Sequence, residues 1–320
     1  MKRRALLGGM AAAAGLGLLG CRPEAPSGAT GALALRMVCD PWAGYYPAAL
    51  AEVDGDFARE GLTVSMERST STDRMLAEFF AGRFDLMCAS LGDMIPIAAR
   101  DPTLRIVLTS DESAGADMVF RRRDVDPAAV ARLRIGTDLN GFGELFMRDY
   151  LAHAGLAERD VQWLHVDAGD VAAALDAGQI DVGNCWEPFA SAALAAGHVK
   201  VFDSAQTPAL VTQVAVCQRR LLVEERERMR GFCRAWFAAT DRWLADVPAG
   251  AARIEAALRL PAGEASLAGI RLHTLDDNRR LLTGTPPGLA PVLQRYAEFH
   301  ARRGEAPGDL GALFEDAVLP

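Results

Sequence analysis

The stretch Asp40-Pro41-Trp42-Ala43-Gly44-Tyr45-Tyr46-Pro47 decides how the rest of the chain is interpreted. The apolar residues 33–39 before it predict a buried strand, and the alanine-rich residues 48–52 after it predict a helix. In an open α/β sheet, ligands bind outside the carboxyl ends of the strands. Three large aromatic side chains on such a turn favour the wall of a small-molecule site, because pockets combine aromatics with a few placed polar groups. The alternative is that the rings only cover a hydrophobic core.

The overall composition is that of a globular protein with room for two lobes. The chain has 320 residues, 50% of them hydrophobic and 24% charged. The formal net charge is −8, and no basic stripe interrupts it. This balance argues against nucleic acid as a partner.

The first residues have the features of an export signal and are set aside from the fold. Lys2, Arg3 and Arg4 precede an apolar run over residues 5–19, which ends in Leu18-Leu19-Gly20-Cys21. That ending resembles the lipobox of bacterial lipoproteins, so we expect residues 1–21 to be a signal peptide and Cys21 to be lipidated. A twin-arginine signal and an uncleaved membrane anchor are the alternatives. Residues 22–32 are rich in Pro, Gly, Ala and Ser and predict a flexible tether.

Strands and helices alternate through the middle of the chain, which predicts parallel sheets and an α/β fold. Two segments repeat one local pattern, Ala81-Gly82-Arg83-Phe84-Asp85 and Ala177-Gly178-Gln179-Ile180-Asp181, in which glycine ends a helix and a buried strand follows. We therefore predict two lobes. Lobe 1 is expected to comprise residues 33–120 and 215–320, including a helical C-terminal region that packs back on it, and lobe 2 residues 121–214.

Several segments resemble one family of proteins. They are Trp42-Ala43-Gly44-Tyr45-Tyr46-Pro47-Ala48-Ala49-Leu50-Ala51, Phe57-Ala58-Arg59-Glu60-Gly61-Leu62-Thr63-Val64, Ala81-Gly82-Arg83-Phe84-Asp85, Ser113-Ala114-Gly115-Ala116-Asp117 and Trp186-Glu187-Pro188-Phe189. Together they resemble the solute-binding proteins of ABC importers in the nitrate/sulfonate/taurine group, which also includes thiamine-pyrimidine binders. The resemblance implies a two-lobed periplasmic-binding-protein-like fold of type II. Each lobe would be a mixed, mostly parallel sheet flanked by helices, and the lobes would close on a ligand.

The turns that follow the predicted strands supply the candidate site. Aromatic walls are expected from the Trp42 turn and from Trp186, polar contacts from serine and asparagine, and a charged anchor from Glu187. The acidic members have a second interpretation as helix caps, since a helix N-terminus favours negative charge. The candidate ligand-binding residues are Trp42, Tyr45, Tyr46, Ser90, Asp93, Ser113, Asn140, Trp186 and Glu187.

The charge of the ligand stays open at this point. The family's sulfonates and nitrate need an anion site, but the predicted cleft turns contain no arginine or lysine; Arg74 and Arg148 are the nearest, each inside a predicted helix. Carboxylates beside aromatics suit an amine, a pyrimidine or a quaternary ammonium instead. Both classes of ligand remain expectations.

We predict a binding protein rather than an enzyme, without cofactor or metal. The five histidines are scattered and none lies beside a predicted nucleophile, although biosynthetic enzymes share related folds. The five cysteines after Cys21 form no C-x-x-C pair and are expected to be buried free thiols. The expected protein is a monomeric lipoprotein on the periplasmic side of a bacterial membrane that passes its ligand to ABC permease subunits. A sensory ligand-binding module is the remaining alternative.

Overall fold

A computed structural model describes residues 32–126, 132–139, 141–305, 308–315 and 317–320. Three predictions therefore fall wholly or almost wholly outside the described residues: the signal peptide with Cys21, the tether, and the site residue Asn140. Residues 32–320 form one compact unit.

The strands form two mixed sheets. In chain order the strands are β1 (Leu33–Cys39), β2 (Leu62–Arg68), β3 (Leu86–Ser90), β4 (Leu104–Ser113), β5 (Met118–Arg121), β6 (Leu133–Thr137), β7 (Val161–His165), β8 (Val182–Cys185), β9 (Val199–Asp203), β10 (Thr212–Gln218) and β11 (Ile270–Leu272). The first sheet has the order β11-β4-β10-β3-β1-β2 and the second the order β7-β6-β8-β5-β9. β1 pairs in parallel with β2 and β3, and β6 pairs in parallel with β7 and β8. β10, β11 and β5 pair antiparallel with their neighbours, so the sheets are mixed but not mostly parallel as expected, because the chain reverses direction where it crosses between them.

Helices flank both sheets, as the alternating pattern predicts. They are α1 (Pro47–Val53), α2 (Asp56–Arg59), α3 (Thr72–Phe80), α4 (Leu91–Ala98), α5 (Phe142–His153), α6 (Val171–Asp176), α7 (Phe189–Ala195), α8 (Arg219–Glu224), α9 (Arg226–Ala245), α10 (Val247–Leu258), α11 (Leu275–Leu282) and α12 (Ala290–Arg302). Across the described part of the chain, no helix combines the length and the apolar character that a membrane span requires.

The chain crosses between the sheets twice. It leaves the first sheet after β4, enters the second at β5, and returns between β9 and β10. We call the first sheet with its helices lobe 1 and the second sheet with α5 to α7 lobe 2. The crossings at residues 114–117 and 204–211 come a few residues earlier than the predicted boundaries at 120 and 214. The short antiparallel strand β5 belongs to the second sheet, and all of β10 belongs to the first.

The C-terminal helices pack on lobe 1. Phe232 of α9 stacks on Phe57 of α2 with ring centroids 5.4 Å apart, and Trp236 and Trp243 are fully buried. These tryptophans belong to the core, because their helical spacing places them on the buried face of α9. The edge strand β11, only three residues long, also comes from this region and was not predicted.

Candidate ligand-binding site

The carboxyl ends of strands from both lobes meet at one cavity, which we call the inner cavity. Lobe 1 contributes the turns after β1 and β3, and lobe 2 contributes the turns after β6 and β8. The lining residues are Asp40, Trp42, Thr72, Met75, Ala89, Ser90, Asp93, Asp117, Asp138, Phe142, Trp186 and Gln213. The volume of about 20 Å³ holds one water-sized group.

Acidic side chains dominate the inner cavity. Burial, together with the neighbouring carboxylates Asp93, Asp117 and Asp111, raises the pKa of Asp40 to about 8. Burial likewise raises the pKa of Asp93 and of Asp117 to about 7. The lining set contains no arginine, lysine or histidine. The cavity therefore brings several carboxyl groups together in a site with little water, where a bound cation would favour their ionised forms.

Three polar atoms at this cavity are buried and lack a hydrogen-bond partner. Two are acceptors, Oδ1 of Asp40 and Oδ2 of Asp117, and one is a donor, Nε1 of Trp186. Buried polar groups in proteins are almost always paired, so each unpaired atom requires an explanation. A ligand bound in the cavity would supply the missing partners.

Asp93 connects the two lobes at the rim of the inner cavity. Ser90 is the N-cap of α4, and its hydroxyl donates to Asp93 Oδ2 over 2.7 Å. The other oxygen, Oδ1, accepts from the backbone N–H of Phe142 at the start of α5, over 3.1 Å. A Cβ on Gly141 would lie 2.0 Å from Asp93 Oδ1, so only glycine permits this approach. Asp93 therefore caps its own helix, as one interpretation predicted, and also bonds to lobe 2.

Trp42 is held in place by a buried carboxylate. Its indole Nε1 donates to Asp111 Oδ1 over 2.9 Å, and Ser110 Oγ donates to Asp111 Oδ2 over 2.7 Å. A Cβ on Gly44 would lie 1.9 Å from Asp111 Oδ2, so this glycine makes room for the carboxylate. Both Asp111 oxygens are thus satisfied, and Asp111 is a positioning residue for the aromatic wall.

Tyr45 supports a residue of the inner cavity from the core of lobe 1 and does not itself line the cavity. The ring is fully buried in the core of lobe 1, and its hydroxyl donates to Gln213 Oε1 over 2.6 Å. Gln213 belongs to β10 and lines the inner cavity. Tyr45 thereby fixes the orientation of a polar group at the site without lining it.

A larger outer cavity of about 430 Å³ adjoins this region, and Trp42 lines both cavities. The volume lies in the range typical of small-molecule pockets. Its walls come from lobe 1, from the turn after β8 and from the loop before β11. The lining residues are Pro41, Trp42, Ala43, Tyr46, Ala116, Glu187, Pro188, Ser191, Ala262, Gly263, Glu264, Ser266, Ala268 and Ile270. Glu187 is exposed and accepts from the backbone N–H and the hydroxyl of Ser191, so it also caps α7.

Ion pairs between α5 and the C-terminal part of the chain link the lobes at a second place. The buried Glu144 accepts from Arg303 through both oxygens, over 2.8 and 2.9 Å, and from Arg148 on its own helix. Arg295 of α12 donates to both oxygens of Asp149, each over 2.9 Å. We call Glu144–Arg303 and Asp149–Arg295 the interlobe ion pairs. Arg148, which the sequence placed nearest the predicted cleft together with Arg74, is engaged by Glu144 on its own helix.

Most of the predicted site residues lie at the two cavities, and two do not. Tyr45 stands behind the wall, and Ser113 is buried between the crossings, where its hydroxyl pairs with Ser204 over 2.6 Å and accepts from the N–H of Asp117. Asn140 lies outside the described residues. The residues that line a cavity are Trp42, Tyr46, Ser90, Asp93, Trp186 and Glu187.

Asp40 and Asp117 are the candidate site residues that the sequence reasoning missed. Asp40 opens the turn directly after β1. Asp117 ends segment 113–117 of the family resemblance and lies in the first crossing between the lobes. The sequence feature that could have identified them is an aspartate in a turn with no basic residue beside it. It was overlooked because a turn aspartate has a common local role in capping.

All five cysteines from Cys39 onward are buried, and burial raises the pKa of the Cys185 thiol to about 12, which keeps it protonated. Among the described residues, no group of three or more His, Cys, Asp or Glu side chains is placed to hold a metal ion.

Solved structures with the same fold include binding proteins and an enzyme. The ligand-binding component of an ABC-type import system from Staphylococcus aureus, with zinc bound, is 9% identical, with 90% of this chain and 97% of that chain covered and a TM-score of 0.71. The periplasmic aliphatic sulphonate-binding protein SsuA from Escherichia coli is 18% identical, with 89% and 97% covered and a TM-score of 0.67. The desulfurization enzyme DszB is 16% identical, with 90% and 96% covered and a TM-score of 0.65.

These likenesses establish the periplasmic-binding-protein-like α/β fold that the sequence predicts. No curated protein matches the chain. The profile of the NMT1-like family matches residues 30–259, which contain the strands of both lobes up to β10 and every turn of the inner cavity. The chain belongs to the NMT1-like family.

Proposed function

We propose that this protein is the extracytoplasmic solute-binding component of an ABC importer, which captures a small molecule between its lobes and delivers it to permease subunits. One observation carries the proposal: residues of both lobes line a single inner cavity that contains buried, unpaired polar atoms. The similarity in fold to an ABC-type import component and to a sulphonate-binding protein supports the same assignment.

Binding is expected to favour the closed arrangement of the lobes. The Asp93–Phe142 bond and the interlobe ion pairs form only when the lobes are together. A ligand that touches both lobes stabilises this arrangement by its differential affinity for the closed over the open form. Export and a lipid tether would suit capture of solutes outside the cytoplasm.

A thermal-shift screen tests the binding role. A chain that starts at Arg22 retains every described element, since residues 32–320 form one compact unit. Nitrate, sulfonates, pyrimidines, betaines and amines are each added in excess. We expect one chemical class to raise the melting temperature in a saturable way, because a ligand that binds only the folded state stabilises it by mass action. Absence of any response across these classes would contradict the proposal.

The membrane anchor is tested separately through Cys21. In the full-length chain expressed in a bacterium, Cys21→Ala is expected to abolish lipid labelling of the protein and to shift the protein out of the membrane fraction. Metabolic labelling with a fatty acid and cell fractionation measure both effects. Label that persists in the variant would exclude Cys21 as the lipidated residue while leaving the solute-binding role untouched.

An enzymatic role is the second candidate, because carboxyl groups with a pKa near 7 suit proton transfer. The desulfurization enzyme shows that this fold can host catalysis. The discriminating experiment incubates the protein with any solute that stabilises it and follows the solute by mass spectrometry. An unchanged solute favours binding, whereas turnover without any partner protein favours the enzyme.

A further inference from the structure

Two buried carboxylate oxygens at the inner cavity lack a donor. Asp117 is only 1% exposed, and its Oδ2 has no hydrogen-bond partner. Oδ1 of Asp40 is buried and unpaired at the same cavity. A buried carboxylate is costly unless it is paired. Asp111 provides the contrast, since Trp42 and Ser110 satisfy both of its oxygens. The unpaired oxygens therefore identify where donors from a ligand would bind.

The lining of the inner cavity contains no cationic side chain to balance these carboxylates. Asp93 adds a further negative group at the rim, and its two oxygens are already engaged by Ser90 and Phe142. A sulfonate or nitrate in this position would face repulsion from several carboxylates. A cation with N–H groups would instead supply both charge and hydrogen bonds, which makes the strongest kind of polar contact.

Trp186 requires the ligand to carry a hydrogen-bond acceptor, whereas the two carboxylates require donors. Its indole Nε1 is a buried donor without an acceptor, and the ring is held by Phe142 and Phe189, with centroids 5.7 and 6.4 Å away. A bare metal cation cannot accept this hydrogen bond, and an organic molecule with an oxygen or nitrogen acceptor can. The donor therefore favours an organic cation over a metal ion.

The sizes of the cavities limit how the ligand is arranged. The inner cavity, with its volume of about 20 Å³, fits one water-sized group such as an ammonium. The outer cavity of about 430 Å³ has space for the remainder of a small molecule, and the Trp42 ring borders both spaces. Pro41, Tyr46 and Pro188 give the outer space apolar walls.

We propose that the solute is a small organic cation whose protonated amine binds Asp117 and Asp40 and whose body carries an acceptor for Trp186. The body extends from the inner cavity along Trp42 toward the outer cavity. This assignment rests on the proposed solute-binding function and names its substrate class. Of the two classes of ligand that the sequence left open, it selects the amine over the family's sulfonates and nitrate.

The first experiment compares head groups on matched compounds. Tyramine, 4-methoxybenzylamine and ethanolamine, each a primary amine whose body carries an oxygen acceptor, are titrated into the chain starting at Arg22, alongside benzyltrimethylammonium and benzenesulfonate, at up to about 10 mM with melting temperature as the readout. At least one primary amine is expected to stabilise the protein, and the quaternary ammonium and the sulfonate are expected to have less effect. Stabilisation by benzenesulfonate, equal stabilisation by the quaternary ammonium, or no response to all three amines would overturn the assignment.

The second experiment changes the carboxylate. Asp117→Asn keeps the shape and removes the charge, so affinity for the amine that binds wild type is expected to fall at least about tenfold. The melting temperature of the ligand-free variant is expected to stay the same or rise, because a costly unpaired charge is gone. The matched control Asp124→Asn removes the same charge from an exposed loop residue paired with Arg122 and is expected to bind normally. Unchanged amine affinity in Asp117→Asn would overturn the assignment.

The outcomes separate the ligand class from the binding role. A sulfonate or nitrate that stabilises the protein leaves the solute-binding function intact and removes only the cationic assignment. Chemical conversion of an amine by the protein alone would instead contradict the binding role while supporting recognition of the cation. Isothermal titration of the stabilising compound, with product analysis of the same sample, gives both readouts.

Discussion

At the scale of single residues, the site is organised by how each aspartate is partnered. Asp111 has two donors and positions Trp42, whereas Asp93 has one donor from each lobe. Asp117 and Asp40 each keep a buried oxygen without a partner. The same residue type therefore serves as a support, a connection between lobes and a candidate ligand contact, and hydrogen bonding alone distinguishes these roles.

The raised pKa values predict how the ligand-free protein responds to pH. The pKa rises from 3.8 to about 7 for Asp93, Asp111 and Asp117, and to about 8 for Asp40. A carboxyl whose pKa is raised on folding contributes stability below its unfolded pKa and loses it as pH rises through the folded value. The loss begins at the unfolded pKa of 3.8 and is complete at the folded pKa, so we expect these carboxyls to lower the melting temperature of the ligand-free chain between about pH 4 and about pH 8, most steeply below about pH 7.

Buried histidines act in the opposite direction over part of this range, so a variant is needed to isolate the carboxylates. Burial lowers the pKa of His273 to about 4 and also lowers that of His198, which favours folding as pH rises toward neutrality. Asp117→Asn keeps these histidines and removes one carboxyl, so its decline in stability with pH is expected to be shallower than in wild type. Identical pH profiles for the two proteins would contradict the buried ionisation of Asp117.

The indole donor of Trp186 provides a second prediction at this scale. Trp186→Phe keeps an aromatic ring against Phe142 but removes the unpaired N–H. The loss of one hydrogen bond to the ligand, about 0.5–1.5 kcal/mol, is expected to weaken binding about two- to tenfold without lowering stability. The control Trp163→Phe changes a tryptophan of β7 that lines neither cavity. Equal affinities for the Trp186 variant and wild type would show that the indole only packs.

At the scale of elements, the start of α5 controls how closely lobe 2 approaches lobe 1. Gly141 has an extended φ of −129°, so alanine is acceptable to its backbone. Its Cβ would nevertheless lie 2.0 Å from Asp93 Oδ1 across the cleft. Gly141→Ala is therefore expected to oppose closure and weaken ligand binding at least about tenfold, with the fold of each lobe retained.

Calorimetric titration and circular dichroism measure these two effects. Gly169→Ala is the matched control, because a Cβ there would make ordinary contacts of 3.5 to 3.8 Å with Phe189 inside lobe 2. We expect the control to bind as wild type does. If both alanine variants bind equally well, the close approach of Gly141 to Asp93 is irrelevant to closure.

The interlobe ion pairs supply a second contact between elements. Glu144 is 2% exposed and is shared between Arg148 of its own helix and Arg303 of lobe 1. Arg303→Gln removes charge-assisted bonds worth about 1.5–3 kcal/mol, so closure and ligand affinity are expected to decline about ten- to hundredfold. Arg302→Gln removes a neighbouring arginine that pairs only with Glu298 on its own helix in the described structure and serves as the control. Equal affinities of the two variants would assign Arg303 no role in closure.

At the scale of the whole molecule, two lobes enclose the site through residues that are far apart in the sequence. The alternation of strands and helices was sufficient to predict both sheets, because hydrophobic patterning of buried strands is a local property. The same pattern placed Trp42, Ser90, Asp93 and Trp186 at strand ends, where the fold brings them together. Small elements such as β11, and crossings a few residues long, carry too little periodicity to be placed.

The sequence alone does not show which charged side chains pair in the fold. Glu144 and Arg303 are 159 positions apart, and nothing local indicates that they meet. Likewise, the sequence contains many aspartates in turns, and only the structure separates the satisfied Asp111 from the unpaired Asp117. The charge of the ligand depends on this distinction, which explains why the sequence left both an anion and an amine open, whereas the unpaired carboxylates favour the cation that we propose.

The most direct test of the account measures closure of the lobes on an amine. Small-angle X-ray scattering of the chain starting at Arg22 gives its radius of gyration with and without the most stabilising amine, for wild type and Asp117→Asn. We predict a smaller radius for wild type with the amine, and no change for the variant at the same concentration. A radius that shrinks with benzenesulfonate but not with any amine, or that shrinks equally in the variant, would contradict capture of an organic cation between the lobes.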